Sequence, residues 1–163
     1  MEQSSSMKWS SAVSERPSLS DAVAECVDVI GRDLGEVPRD LTLAFVSQHH
    51  EGQYELLPDL LSQFASGGVA IGCSGGGVIG AGREVERRHG FAMTSAILPG
   101  VEVRAFHAEY DDIPGPDAPP NSWEFLVDTQ ASSSPHFVLL VDPFSVQAEE
   151  LISGLDYAFP DSV

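Results

Sequence analysis

The chain has 163 residues, with eight Lys plus Arg against 25 Asp plus Glu, a formal net charge of −17. That length suits one globular domain with a single core. So acidic a surface repels phosphate backbones and anionic headgroups, which excludes nucleic acid and anionic membranes as partners.

Residues 1–6 are polar and Ser-rich and read as a disordered lead. Lys8 to Ser14 is a first strand. Ser18 then caps a helix, with Asp21 completing a capping-box-like pair. Leu19, Ala22, Val23, Cys26, Val27, Ile30 and Leu34 recur at helical spacing, and Gly35 and Pro38 stop the run. Leu41 to Ser47 is nearly all apolar, the pattern of a buried central strand. His49, His50 and Glu51 follow in a loop. Tyr54 to Phe64 predicts a second helix with Pro58 in its first turn. Val69 to Cys73 is a short buried strand that runs into a glycine-dense loop. Strand, helix, strand, helix, strand at this spacing signals a parallel α/β unit.

The second half differs. Gly90 to Leu98 and Val101 to Ala108 are β-rich runs joined by Pro99-Gly100, which predicts an antiparallel hairpin. Asp111 to Ser122 is a proline-rich acidic loop without helix or strand, and Trp123 to Leu126 is ambiguous. His136 to Asp142 predicts a buried strand ended by Pro143, and Ser145 caps a helix to about Tyr157 that carries Val146. The fold class is therefore α/β: a mixed sheet with alternating strands and helices first, an antiparallel hairpin later, in one incomplete domain. The chain stops straight after a helix with no strand to receive it, so it reads as a truncated piece.

Cys26 and Cys73 are far apart and lack metal-type spacing, so they fit a reducing compartment rather than a disulfide framework. No run approaches the roughly 20 apolar residues of a membrane helix, and the expected location is the cytoplasm.

Three motifs overlap in the glycine stretch. Gly75, Gly77 and Gly80 match G-x-G-x-x-G, and Gly72, Ser74 and Gly76 match G-x-S-x-G. Both need a helix to open at that point, yet Arg83 to Gly90 has one apolar residue in eight and no face to bury. Dinucleotide binding and a nucleophile elbow at Ser74 are set aside. Cys73 lies beside backbone N–H groups suited to an anion nest, but a cysteine nucleophile needs a histidine base that sequence does not place. Cys26, on the apolar helix face, is a packed residue. His49 and His50 read as solvated, His107 and His136 as structural, and Arg83, Arg87 and Arg88 as a solvated face. No metal site is expected.

The element order and several short stretches resemble one family. Trp9-Ser10-Ser11-Ala12-Val13-Ser14 looks like its opening and Asp40-Leu41-Thr42-Leu43-Ala44-Phe45-Val46-Ser47 like its second strand. Ile71-Gly72-Cys73-Ser74 is similar to its G-C-S strand end, and Phe137-Val138-Leu139-Leu140-Val141-Asp142-Pro143 to a later element. Together they resemble the N-terminal FIST domain (F-box and intracellular signal transduction), over residues 7–163. The resemblance implies a non-catalytic sensory domain of a signal-transduction protein that binds a small metabolite such as an amino acid. It implies as partners a downstream signalling protein or an absent C-terminal FIST domain. A haem-binding gas sensor and an F-box-associated interaction module are the alternatives it leaves; otherwise no cofactor is expected. Gly75 stands where the family often has Thr, so a hydroxyl contact there is lost. The expected ligand-binding residues are Gly72, Cys73, Ser74, Gly75, Gly76 and Gly77, with the backbone N–H groups of Cys73 to Gly77 holding a carboxylate or carbonyl and mobile loops at 48–53 and 109–122 closing over the ligand.

Overall fold

The computed structural model describes residues 6–65, 68–142, 144–145 and 148–163. The expected disordered lead, apart from Ser6, lies outside the described residues, as do Gly67, Pro143 and Val146. The fold is α/β with a mixed sheet, and the chain falls into two compact units, Met1–Val103 and Arg104–Val163.

In the first unit, β1 (Lys8–Ser14), α1 (Leu19–Leu34), β2 (Leu41–Ser47), α2 (Leu57–Ala65), β3 (Val69–Gly75) and β6 (Phe91–Ile97) make a sheet with helices. The strand order is β1-β6-β2-β3. β2 and β3 pair in parallel, while β6 is antiparallel to both β1 and β2. The strand–helix–strand unit therefore forms with β1 and β2 running the same way, but β6 is inserted between them. Being inner, β6 is paired along both edges, and Phe91, Ala92, Met93 and Ala96 on it are all buried.

α1 ends where its sequence signals it. The Ser18 hydroxyl accepts from the Asp21 N–H at 3.3 Å, and Gly35 stops the helix at φ +79°, a left-handed value favouring glycine. Its buried stripe, Leu19, Ala22, Val23, Cys26 and Ile30, packs against Ala12, Ala44, Val46, Phe91 and Met93. Cys26 is part of that core. Burial, aided by Glu25, pushes its thiol up to about 12, so it is an inert packing residue.

The Tyr54 to Phe64 helix begins later than its sequence suggests. Residues Gln48–Leu56 form a 3₁₀ segment in place of the expected loop, and α2 starts only at Leu57, with Pro58 just inside. The glycine loop is likewise absent, because β3 stays extended through Gly75. After a bend at Gly76 the chain forms a small antiparallel hairpin, β4 (Gly77–Gly80) and β5 (Arg83–Glu86). Val78 and Val85 turn inward onto Val13, Phe45 and Ala92. The basic cluster is largely spent on the surface: Arg83 and Arg88 both pair with Glu15, at 3.4 and 3.0 Å.

The hairpin predicted at 90–108 does not form. Its first half is β6; after the Pro99-Gly100 turn, Val101 to Ala108 has no strand. A β-rich pattern needs a partner ladder, and β6 already has both its neighbours in β1 and β2. His107 accordingly lies outside any strand.

The second unit is built on α3 (Pro120–Leu126) and α4 (Ala148–Ala158). α3 begins inside the stretch read as helix-free. Pro120 is its first residue, where a missing N–H costs nothing. Trp123, Val127, Leu151, Leu155, Ala158 and Phe159 form the buried cluster. Gly154 allows the approach of the two helices, since a Cβ there would stand 1.9 Å from the Trp123 ring. His136 to Asp142 carries no ladder either. Phe137, Leu139 and Val141 pack on the cluster while Val138 and Leu140 are exposed, so the alternation of a strand is kept without strand pairing.

No helix among the described residues is long and apolar enough to cross a membrane.

Candidate functional site

Parallel strands β2 and β3 lie side by side in matched register, Ala44 opposite Gly72 and Val46 opposite Ser74. Strand alternation puts Ala44, Val46, Ala70, Gly72 and Ser74 on one face, and it is the face that α1 and α2 cover. On β3 these residues are all small. Above them stand Tyr54, from the 3₁₀ segment, and Leu57, Leu61 and Ser62 of α2. The small floor under a leucine wall leaves an open cleft of about 680 Å³.

Two features equip the cleft for a ligand. Its lining is mainly apolar, with Ser62, Ser74 and Tyr54 among the polar residues that line it. β3 is also an edge strand. Val69 donates to the Asp40 carbonyl at 3.0 Å, so the odd residues of β3 bond to β2 and the even ones, Ala70, Gly72 and Ser74, turn their N–H and C=O groups to the outer edge. Gly72 is required by the backbone, because a Cβ there would come within 1.9 Å of the Ala44 carbonyl oxygen.

The structure divides the six residues singled out from sequence. Gly72, Cys73 and Ser74 line the cleft; Gly75, Gly76 and Gly77 lead away from it into β4. None of the six has a positive φ. Extended N–H groups point alternately to opposite sides, so the stretch is an edge rather than a nest closing on one anion. The Cys73 side chain is exposed and sits opposite Phe45, on the face away from α2. Among the described residues neither Cys73 nor Ser74 hydrogen-bonds a histidine, and no helix follows the glycines. Both glycine-motif readings therefore lack their framework.

No sequence motif marks the cleft wall. A signal for it existed in Ala70, Gly72 and Ser74, alternate small residues that cannot fill the space under an inward leucine face. The histidines were also only half read. His49 is exposed as expected, but His50 is fully buried, with neither ring nitrogen partnered among the described residues. Among the described residues, no group of three or more His, Cys, Asp or Glu is placed to hold a metal.

A family profile described as the FIST N domain matches residues 40–163. No curated protein and no solved structure matches the chain.

Proposed function

The chain belongs to the FIST N-domain family, a family of sensory domains in signal transduction, and from that premise we propose that it binds a small amino-acid-like metabolite in the cleft between α2 and β3. The observation that carries this reading is the cleft itself. It has the size of a small-molecule site, and it runs along the small residues of β3 from Ala70 to Ser74 under the α2 wall.

The chemistry suits a zwitterion with an apolar side chain. Edge N–H and C=O groups of Gly72 and Ser74 pair with a carboxylate and an ammonium, as one strand pairs with another. Leu57 and Leu61 accept the apolar part. A net charge of −17 disfavours ligands with excess negative charge. The mode of action is binding without bond chemistry: a ligand that prefers one arrangement of the α2 wall shifts its population, and a downstream signalling partner reads the shift.

The test is a thermal-shift titration with a panel of amino acids and small carboxylates, on the wild type and on Ala70→Leu, which fills the floor. One or more panel members stabilise the wild type in a concentration-dependent way, and Ala70→Leu loses that response while still melting cooperatively. An undiminished response in Ala70→Leu removes the cleft as the site.

A further inference from the structure

His50 is the third residue of the 3₁₀ segment that leads into α2. It is fully buried, and among the described residues neither its Nδ1 nor its Nε2 has a hydrogen-bond partner. A buried polar side chain without a partner calls for an explanation. Its ring lies edge-on to His89 with centroids 4.8 Å apart, and His89 lies 5.9 Å from His49. Three imidazoles thus grade from exposed His49 through half-buried His89 to buried His50.

The two sides of this cluster are held differently. His89 is on the fixed side. Its neighbours Arg88 and Gly90 are both stitched to the end of β2 by Ser47, whose hydroxyl donates to the Arg88 carbonyl and accepts from the Gly90 N–H, each at 3.0 Å. His49 and His50 are on the 3₁₀ segment. That segment is tied down by Tyr54 donating to the Ser47 carbonyl at 3.2 Å and by Gln53, which accepts from the Leu19 N–H at 2.8 Å. Tyr54 and, one step on, Leu57 line the cleft.

We propose that His50, with His89 and His49, is a proton-operated latch: it holds the 3₁₀ segment closed at neutral pH and releases it, with the α2 wall that follows, as the pH falls. Histidine is the side chain that gains charge in this range, and among the described residues no carboxylate pairs with the cluster. Glu51 and Glu55 of the same segment are exposed, as are Glu86, Arg87 and Arg88 beside His89, Asp21 in the first turn of α1 and Asp59 in α2; β2 carries no titratable group. The neighbouring His89 and His49 rings further disfavour a proton on His50.

Burial first, then those two neighbours, holds the His50 pKa below the ordinary histidine value. The closed state therefore keeps the ring neutral, whereas the opened segment takes up a proton. Closure is at full strength above the ordinary value of about 6.5 and is lost as the pH falls from there through the depressed folded value. The latch stands on the histidine cluster alone; its control of ligand access rests on the reading of the cleft given above.

Hydrogen exchange on the full chain without ligand separates the two. After correction for intrinsic pH dependence, protection of residues 48–56 falls between pH 7.5 and 5.5, while that of β6 holds. The loss approaches about tenfold for each unit by which His50 is depressed. His50→Phe abolishes the pH-dependent loss and His89→Gln reduces it. Equal protection at both pH values, or the same loss in His50→Phe, overturns the proposal. Should His50→Phe fail to fold, NMR titration of the wild-type rings decides: a His50 ring still neutral where free histidine is charged supports the latch, and one titrating at the ordinary value sinks it. A failed amino-acid titration leaves this result untouched.

Discussion

In Met1–Val103 the buried residues hang from a hydrogen-bonded sheet. Ala12, Ala44, Val46, Phe91 and Met93 sit on three paired strands, β1, β2 and β6, under α1. In Arg104–Val163 the buried cluster has no ladder among the described residues. Trp123, Leu151, Leu155 and Phe159 meet through side-chain packing, and the extended run Phe137 to Val141 lies on them by alternate residues only. A core hung on a sheet shares its load among many backbone bonds, whereas one made by a helix pair and loose chain concentrates it on a few large side chains. The second unit is therefore the more brittle.

The most direct way to break that contrast is to remove the largest buried side chain of each unit. Trp123→Ala and Phe91→Ala each cost about 3–5 kcal/mol. For about 60 residues with roughly 0.05–0.15 kcal/mol of stability each, the first loss takes most of what the second unit has. Hydrogen exchange of Trp123→Ala is expected to show α4 unprotected and β6 protected. Exchange rising equally in both units would mean that they melt as one.

A smaller effect separates two helical glycines. Gly154→Ala drives a methyl into the Trp123 ring and costs about 1–3 kcal/mol by overpacking, whereas a Cβ at Gly31 of α1 meets nothing within 4 Å. Gly31→Ala is expected to stabilise by up to about 1 kcal/mol, from helix propensity alone. Denaturant midpoints measure both, and a neutral Gly154→Ala would contradict the close helix approach.

Acid sharpens the comparison differently. Between pH 7.5 and 5.5 the fall in protection belongs to the first unit, where burial holds the His50 pKa down. At more acid pH the second unit loses the contribution of Asp142. The Ser145 hydroxyl and then the Phe144 N–H keep that carboxyl below the usual carboxylate range, so its stabilisation is lost as the pH falls through its folded value.

The smallest expected effects are at the surface. Ser18→Ala removes a helix cap and costs about 1 kcal/mol. Arg88→Ala breaks an exposed ion pair to Glu15 and costs less than about 1 kcal/mol. A large loss from Arg88→Ala would show that the Glu15 network organises the β4–β5 hairpin.

Much of the first unit is legible in sequence because its elements carry local signals. Ser18 and Gly35 bracket α1, and the apolar runs at 41–47, 69–73 and 91–97 are strands. The runs at 101–108 and 136–142 have the same alternation and form none. Alternation states only that one face is apolar; whether a ladder forms depends on a partner strand from elsewhere in the chain.

The candidate site divides in the same way. Glycine density pointed to Gly72 and Ser74, which both lie inside β3, and suggested a loop where the backbone stays extended through Gly75. The cleft arises because small residues of β3 and inward leucines of α2 meet across a sheet face, and buried His50 meets the ring of His89, some forty residues away. Caps, helix periodicity and the charge excess were thus set by the sequence alone, since each acts over a few residues or needs no geometry. Strand partners, the cleft and the histidine cluster were decided by tertiary structure, because each requires distant segments to share one place and the chain's local pattern does not encode which segments they are.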